Sequence, residues 1–317
     1  MDLAEQLERV LIGDNPFIGV DHMSQDRARE RLAQLNSERE ARILQIAFKN
    51  GASGFVFSTH PNHLEVFRLL KDQNPDLSFD LYPLLPYAQG YIRTATEKGM
   101  IGMLYDLIGQ LSWGGKMKAL VGGSVSALTM NPTKMLSTFV DVEIDRFLRV
   151  APPRTKLKAV FLHEIIVDLA LAFQLKDIFE SYISHVNDHY KVRAGLVTRN
   201  FPRLIQLLDE TGISYDKISL MTPFNKMGFQ MNPSREACER SLAQKPGIDV
   251  MGMSILAAGM LNLKEATEYI HGLENLRSVV VGVSSEDHAV RTFQTLRNTS
   301  TLEAPIPQRA PEVLARN

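Results

Sequence analysis

The chain has 317 residues, enough to bury a large core as one barrel-sized domain or as two ordinary ones. Hydrophobic residues make up 44% and charged residues 22%, the balance of a globular protein, and the formal net charge of -1 provides no field favouring nucleic acid or an anionic membrane. The single cysteine, Cys238, excludes an internal disulfide and a Cys-rich metal centre. The opening Met1-Asp2-Leu3-Ala4-Glu5-Gln6 lacks the basic and apolar regions of a signal peptide, and no apolar run reaches membrane-spanning length. A cytoplasmic protein with a small-molecule substrate is the expectation.

In chain order, strand-like segments fall at 10–12, 54–58, 79–84, 157–162, 192–197, 218–221, 250–255 and 278–283. They are short, rich in Val, Ile, Leu and Phe, and apolar on both faces, as strands covered on both sides should be. Amphipathic helical patterns lie between them at 38–49, 64–71, 132–149, 165–186, 201–210, 234–243, 263–271 and 286–297. Eight strands alternating with helices predict a (β/α)8 TIM barrel over 1–304. An open doubly wound sheet is the less favoured alternative, because no GxGxxG follows the first strand. The Arg- and Glu-rich 21–36 stretch reads as a charged helix in the loop after the first strand. Residues 86–130, with Tyr87, Tyr91, Trp113 and Gly114-Gly115-Lys116, extend the β3–α3 connection and read as a lid over the catalytic face. Lys116 lacks the spacing of a P-loop. Residues 305–317 carry three prolines and read as a C-terminal tail.

If strand ends carry the chemistry, the candidates follow from position. Asp14 and Asn15 follow the first strand, and His60 and His63 follow the second. Tyr82 belongs to the third, His163 and Glu164 end the fourth, and Asn225 follows the sixth. His163, His60 and Asp14 are the expected catalytic groups, with Asn15, His63, Tyr82, Glu164 and Asn225 around the substrate. A histidine titrates near neutral pH, so His163 can act as general acid or hydrogen-bond donor to a substrate oxygen. Imidazole and carboxylate on one rim suit a divalent metal by type, but the His60-x-x-His63 spacing recurs by chance, and no metal is assigned. His185 and His189 read as solvent-facing or capping, Lys226 as a surface lysine rather than a Schiff-base former, and the 13 methionines as core filling.

The last third of the chain adds a candidate anion site. Ser254-Ile255-Leu256-Ala257-Ala258-Gly259 and Gly282-Val283-Ser284-Ser285 each follow an apolar strand, and the second runs into a helix opening with Glu286 and Asp287. Small residues before a helix N-terminus let backbone N–H groups meet a phosphate, and in TIM barrels such sites lie after strands seven and eight. Gly259 and Gly282 would leave room, Ser284 and Ser285 would donate hydroxyls, and Arg291 would supply the cation. The bland alternative is a pair of tight βα turns.

Five pieces, in the right order, resemble the aldo-keto reductases. Phe161-Leu162-His163 resembles the family's apolar-apolar-His ending, and Gly195 to Phe201 resembles its Gly-Val-Ser-Asn-Phe turn. Pro223-Phe224-Asn225 resembles Pro-Tyr-Asn, and Ser254 to Leu261 resembles Ser-Pro-Leu-Ala-x-Gly-Leu-Leu. Gly282 to His288 resembles Gly-Thr-Ser-Ser-Pro-Glu-His, where the family grips the adenosine phosphates of NADP. The resemblance implies NADP(H), with Asn200, Ser254, Gly259, Gly282, Ser284, Ser285 and Arg291 contributing to its site. The family's Asp, Tyr, Lys and His tetrad is mostly missing. Ser58 stands where the aspartate should fall, no lysine lies near Tyr82-Pro83-Leu84, and no tyrosine follows the second strand. His163 alone is kept, and Met253 and Met221 replace the nicotinamide-stacking aromatic and the strand-six glutamine. Three functions follow: a divergent NADP(H) oxidoreductase, a non-redox lyase, aldolase or isomerase using the anion site for a substrate phosphate, and a catalytically silent nucleotide-binding protein.

Overall fold

The structure, a computed structural model, describes residues 7–19, 36–86 and 132–297. The expected charged helix at 21–36, the lid at 86–130 and the tail at 305–317 lie outside the described residues, except for Asn36 and Pro86 at their edges. Among the described residues no helix is long and apolar enough to cross a membrane.

The strands are β1 (Arg9–Gly13), β2 (Gly54–Ser58), β3 (Asp80–Leu85), β4 (Lys156–Leu157), β5 (Ala159–Leu162), β6 (Arg193–Val197), β7 (Ile218–Pro223), β8 (Val250–Met253) and β9 (Ser278–Gly282). All pair in parallel, in the ring β1-β2-β3-(β4, β5)-β6-β7-β8-β9 and back to β1. Both β4 and β5 pair with β3, so they are two pieces of one stave interrupted at Lys158, and the barrel has eight staves. The expected (β/α)8 barrel is the observed fold.

Outside the ring lie α1 (Ser37–Lys49), α2 (Asn62–Gln73), α3 (Pro132–Val150), α4 (Glu164–Ala172), α5 (Lys176–His185), α6 (Phe201–Thr211), α7 (Arg235–Ala243), α8 (Leu263–His271) and α9 (Glu286–Arg297). Their starts are written locally. Asn36 accepts bonds from the backbone N–H groups of Glu38 and Arg39, and Asn262 with Glu265 forms a capping box on α8. The single helix expected over 165–186 is instead α4 and α5. Gln174 adopts a left-handed φ of 55°, and the Leu175 N–H returns to the Ala170 carbonyl, so the chain turns between them.

Strand alternation divides the apolar residues into two cores. One set, including Val10, Ile12, Phe55, Phe57, Leu196, Leu220 and Val279, packs outward against the helices. The other fills the lumen with Leu11, Val56, Tyr82, Phe161, Val197, Met221, Met251 and Val280. Two glycines make the lumen fit. A Cβ on Gly195 would sit 2.4 Å from the Phe161 ring, and one on Gly54 would sit 2.8 Å from the Tyr82 ring. The large rings therefore face strand positions where no side chain competes for volume.

Candidate functional site

At the C-terminal end of the barrel the loop after β1 turns down at Asp14 and passes through a short 3-10 turn, Asn15–Phe17. Asp14 is 4% exposed. Its Oδ2 accepts the Ser58 backbone N–H at 2.6 Å and lies 3.1 Å from His63 Nε2. His63 is fully buried, and its other ring nitrogen, Nδ1, lies 2.6 Å from Glu40 Oε1. That second contact is off the hydrogen-bond axis and acts as an ion pair. Glu40 also accepts from the Asn62 amide at 2.8 Å, and Asn62 accepts from the Ser37 hydroxyl at 2.8 Å. One imidazole is thus held between two buried carboxylates from β1 and α1. Burial alone would lower the His63 pKa; Glu40 and Asp14 outweigh it and raise the value to about 10. His63 is an imidazolium at neutral pH, fully engaged, and supports Asp14 rather than contacting substrate.

His60 behaves in the opposite way. Its Nδ1 accepts the Asn62 N–H at 3.1 Å. Burial, and then the neighbouring His63 charge, lower its pKa to about 4, against a partial pull from Asp14. A neutral ring beside a charged one results.

His163 follows β5 and is the N-cap of α4: its Nδ1 accepts the Ile165 N–H at 3.2 Å. That bond consumes the Nδ1 lone pair and leaves Nε2–H as the donor. Burial lowers its pKa, Glu164 pulls the other way, and Arg199 lowers it further. The Glu164 carboxylate, 3.3 Å from Nδ1, would favour a proton there, but it is already paired with Arg199 at 2.9 Å. The neutral Nε2–H form follows from the geometry. His163 keeps 18% of its side-chain surface. Next to it, Asp168 of α4 accepts from the Thr198 hydroxyl and from the Arg199 N–H at 3.1 Å, and burial raises its pKa.

The remaining expected residues divide. Asn15 is exposed on its turn. Asn225 is buried, and its amide both donates to and accepts from the Phe229 backbone, at 2.9 and 2.8 Å, so it shapes its own loop rather than a substrate site. Asn200 caps α6 by accepting from the Arg203 N–H. Tyr82 is a correction. It sits mid-strand, its ring lies in the lumen, and its hydroxyl takes a bond from Arg9 at the N-terminal end, because the third residue of β3 lies well below the C-terminal rim. His185, expected to be solvent-facing or capping, bonds Asp141 at 2.8 Å.

In the loop after β8, Ser254, Ala257, Ala258 and Gly259 all have positive φ, from 47° to 91°. A Cβ on Gly259 would meet nothing, so glycine is needed there for its backbone and leaves open space. Gly282 has a different duty: a Cβ there would lie 2.9 Å from Pro16, so it admits the loop after β1. Ser285 caps α9 through the His288 N–H. Arg291 is exposed and bends back to the Asp287 carbonyl at 3.4 Å. A second arginine reaches the same loop from α1, where Arg39 donates to the Ser284 carbonyl at 3.1 Å.

Sequence reading missed Glu40, Asp168 and Arg39. Glu40 left a trace: with Ile43, Leu44 and Ala47 it forms the i, i+3, i+4, i+7 stripe of α1 that the structure buries, and a carboxylate on such a stripe needs a partner. Arg39 left none, since only the closure of β9 onto β1 brings α1 beside α9.

No protein-family model matches the chain, and no curated protein matches it in sequence. Among solved structures, one from Pseudomonas aeruginosa, provisionally described as an aldo-keto reductase, aligns over 93% of this chain and 92% of its own. The TM-score is 0.55 and the identity 12%. A second structure from the same organism with the same description aligns over the same shares at a TM-score of 0.55 and 11% identity. Similarity at this identity is a shared fold.

Proposed function

We propose that this chain is a divergent, aldo-keto-reductase-like barrel enzyme of the cytoplasm. It acts at the carbonyl of a small anionic or phosphorylated metabolite. The observation that carries the reading is His163: a neutral imidazole at the C-terminal end of the fourth stave, with Nδ1 engaged and Nε2–H left to donate. A positioned donor of this kind polarises a carbonyl oxygen and can deliver a proton to it. Asp14, fixed by Ser58 and His63, stands near enough to act on the His163 charge and supplies the opposite, basic partner.

NADP(H) fits this chain at one end. The loop with left-handed positions at Ser254, Ala257, Ala258 and Gly259, the capped start of α9 and Arg39 suit its phosphates. The other end does not fit. Met253 lines the lumen where a stacking aromatic would be needed, Asn200 is spent on its helix, and no lysine or tyrosine stands beside His163 among the described residues. No hydride step is therefore derived. That mismatch favours a second reading, non-redox lyase, aldolase or isomerase chemistry in which the same loops hold the phosphate of the substrate.

Titrating the protein with NADPH while following nucleotide fluorescence separates the two. Saturable binding that inorganic phosphate displaces supports the reductase-like reading. Phosphate binding without NADPH binding supports the non-redox one. No binding of either, in the parent or in Ser284→Asp, removes the anion site and the reading built on it. With a turnover assay in hand, His163→Ala should lower kcat by about 100-fold or more and change KM little.

A further inference from the structure

A cavity of about 650 Å³ opens at the end of the barrel opposite His163. Its floor is Arg9, Tyr82, Ser219 and Asp249, all at or near the N-terminal ends of their staves. Around the mouth stand Lys158, Lys191, Arg193 and Lys217. The lining thus holds five cationic side chains against two carboxylates, Asp216 and Asp249.

Those charges do not cancel locally. Asp249 is shared by Arg9 and Arg193 and also receives the Ser219 hydroxyl, so this floor cluster keeps one net positive charge. Lys158 faces Asp80 at 3.8 Å, and Lys217 and Arg193 face Asp216, which also accepts the Ser214 hydroxyl. Lys191 forms no ion pair among the described residues. Its φ of 57° turns the chain sharply after the helical turn Val186–Tyr190 and sets it on the cavity rim. A concave site with low-dielectric walls and an excess of one charge concentrates ions of the opposite sign. A further lining residue, Asn187, gives both amide hydrogens to the Val192 and Lys217 carbonyls, while its buried Oδ1 accepts nothing. Those two bonds tie the turn after Val186–Tyr190 to the ends of β6 and β7 and so fix this wall of the cavity.

We propose that the N-terminal face of this barrel is a second binding site, for a small phosphate or pyrophosphate compound. Lys191, Lys217 and Lys158 receive the phosphate. The site is independent of the reading given to His163 and of the loops after β8 and β9.

Calorimetric titration of the full chain with inorganic pyrophosphate tests it, alongside Lys191→Glu/Lys217→Glu and Ser284→Asp. Both lysines are exposed, so the double variant should keep the parent's circular dichroism and melting profile. The expected result is binding that weakens by about tenfold or more in the lysine variant and survives in Ser284→Asp, since two charges of the wrong sign replace two of the right one. Binding lost in Ser284→Asp but unchanged in the lysine variant would place the only anion site at the opposite face and overturn the proposal. So would no heat from the parent at up to about 10 mM pyrophosphate. Neither of those results touches the role of His163.

Discussion

At the C-terminal end of the barrel one histidine lies between two carboxylates, Asp14 and Glu40. At the N-terminal end one carboxylate, Asp249, lies between two guanidinium groups, Arg9 and Arg193. The two triads are mirror images in charge, and the difference lies in the central residue. Arginine stays protonated at any working pH, and Arg9, with Arg193 beside it, holds the Asp249 carboxyl below the usual carboxylate range. The C-terminal triad has at its centre a group that can lose its proton in the alkaline range. The His63 triad can therefore change charge with pH, whereas the charges of the Asp249 triad are fixed across the neutral range.

Breaking the C-terminal triad should have the largest effect. His63→Ala leaves two buried carboxylates facing each other, and about 3–5 kcal/mol of stability should be lost in urea unfolding at pH 6. The pH dependence has a definite sign. The folded pKa of His63, about 10, lies above the unfolded value of about 6.5. Its contribution is complete below about pH 6.5 and is lost as pH rises towards 10. A parent and a His63→Ala variant that lose stability in parallel between pH 6 and pH 10 would show that the ring is not charged in the fold.

Asp249→Ala should come next, at about 3 kcal/mol, the lower part of the range for an uncompensated buried charge because Arg9 keeps 23% of its side-chain surface in water. Its pH window is the reverse. Burial alone would raise the Asp249 pKa, but Arg9 and the Ser219 hydroxyl lower it, so the contribution is present above the unfolded pKa and fades as pH falls through the folded one. Unfolding at pH 3 and pH 7 should show a smaller gap between parent and variant at the acid end.

Between the two triads the lumen is neutral, and there the test is steric. Gly195→Ala should cost about 1–3 kcal/mol because the new methyl meets the Phe161 ring at 2.4 Å. Phe161→Leu should recover part of that loss in a double-mutant cycle, and strict additivity would show that the ring does not fill the space above Gly195.

A smaller effect is expected at His163, whose ring also caps α4. His163→Ala should remove about 1 kcal/mol of stability. His163→Asn should restore the cap without restoring any carbonyl-directed activity, and recovery of both would make the residue a cap and nothing more. Ser284→Asp should sit within about 0.5 kcal/mol of the parent in thermal unfolding, since Ser284 is half-buried and its carbonyl carries the bond to Arg39. A larger loss would make the β9 loop structural.

The strands were legible because a covered parallel strand has to be apolar on both faces, and β2, Gly54–Ser58, meets its expected boundaries at both ends. The break between α4 and α5 was not, since Phe173-Gln174-Leu175 carries no glycine or proline and its left-handed turn comes from Gln174. At the C-terminal rim, His60 was placed by strand-end position, and His163 by that position together with the resemblance of Phe161-Leu162-His163 to a family motif. Tyr82 was misplaced by the same rule, because a rule that reads strand ends cannot tell the third residue of a six-residue strand from the sixth. Asn200 and Asn225 were read as ligand groups, yet each serves its own loop; nothing local distinguishes a capping asparagine from a binding one.

The sequence by itself determined the alternation of strands and helices and the placing of His60, His63 and His163 just after strand ends, because each depends on residues within a few positions of one another. Which groups meet was decided only by the closed barrel. Asp14 meets His63 across 49 positions, and Arg9 meets Asp249 across 240. Those pairings set which histidine is charged and which is neutral, because a pKa responds to what lies within a few ångströms in space and is indifferent to distance along the chain.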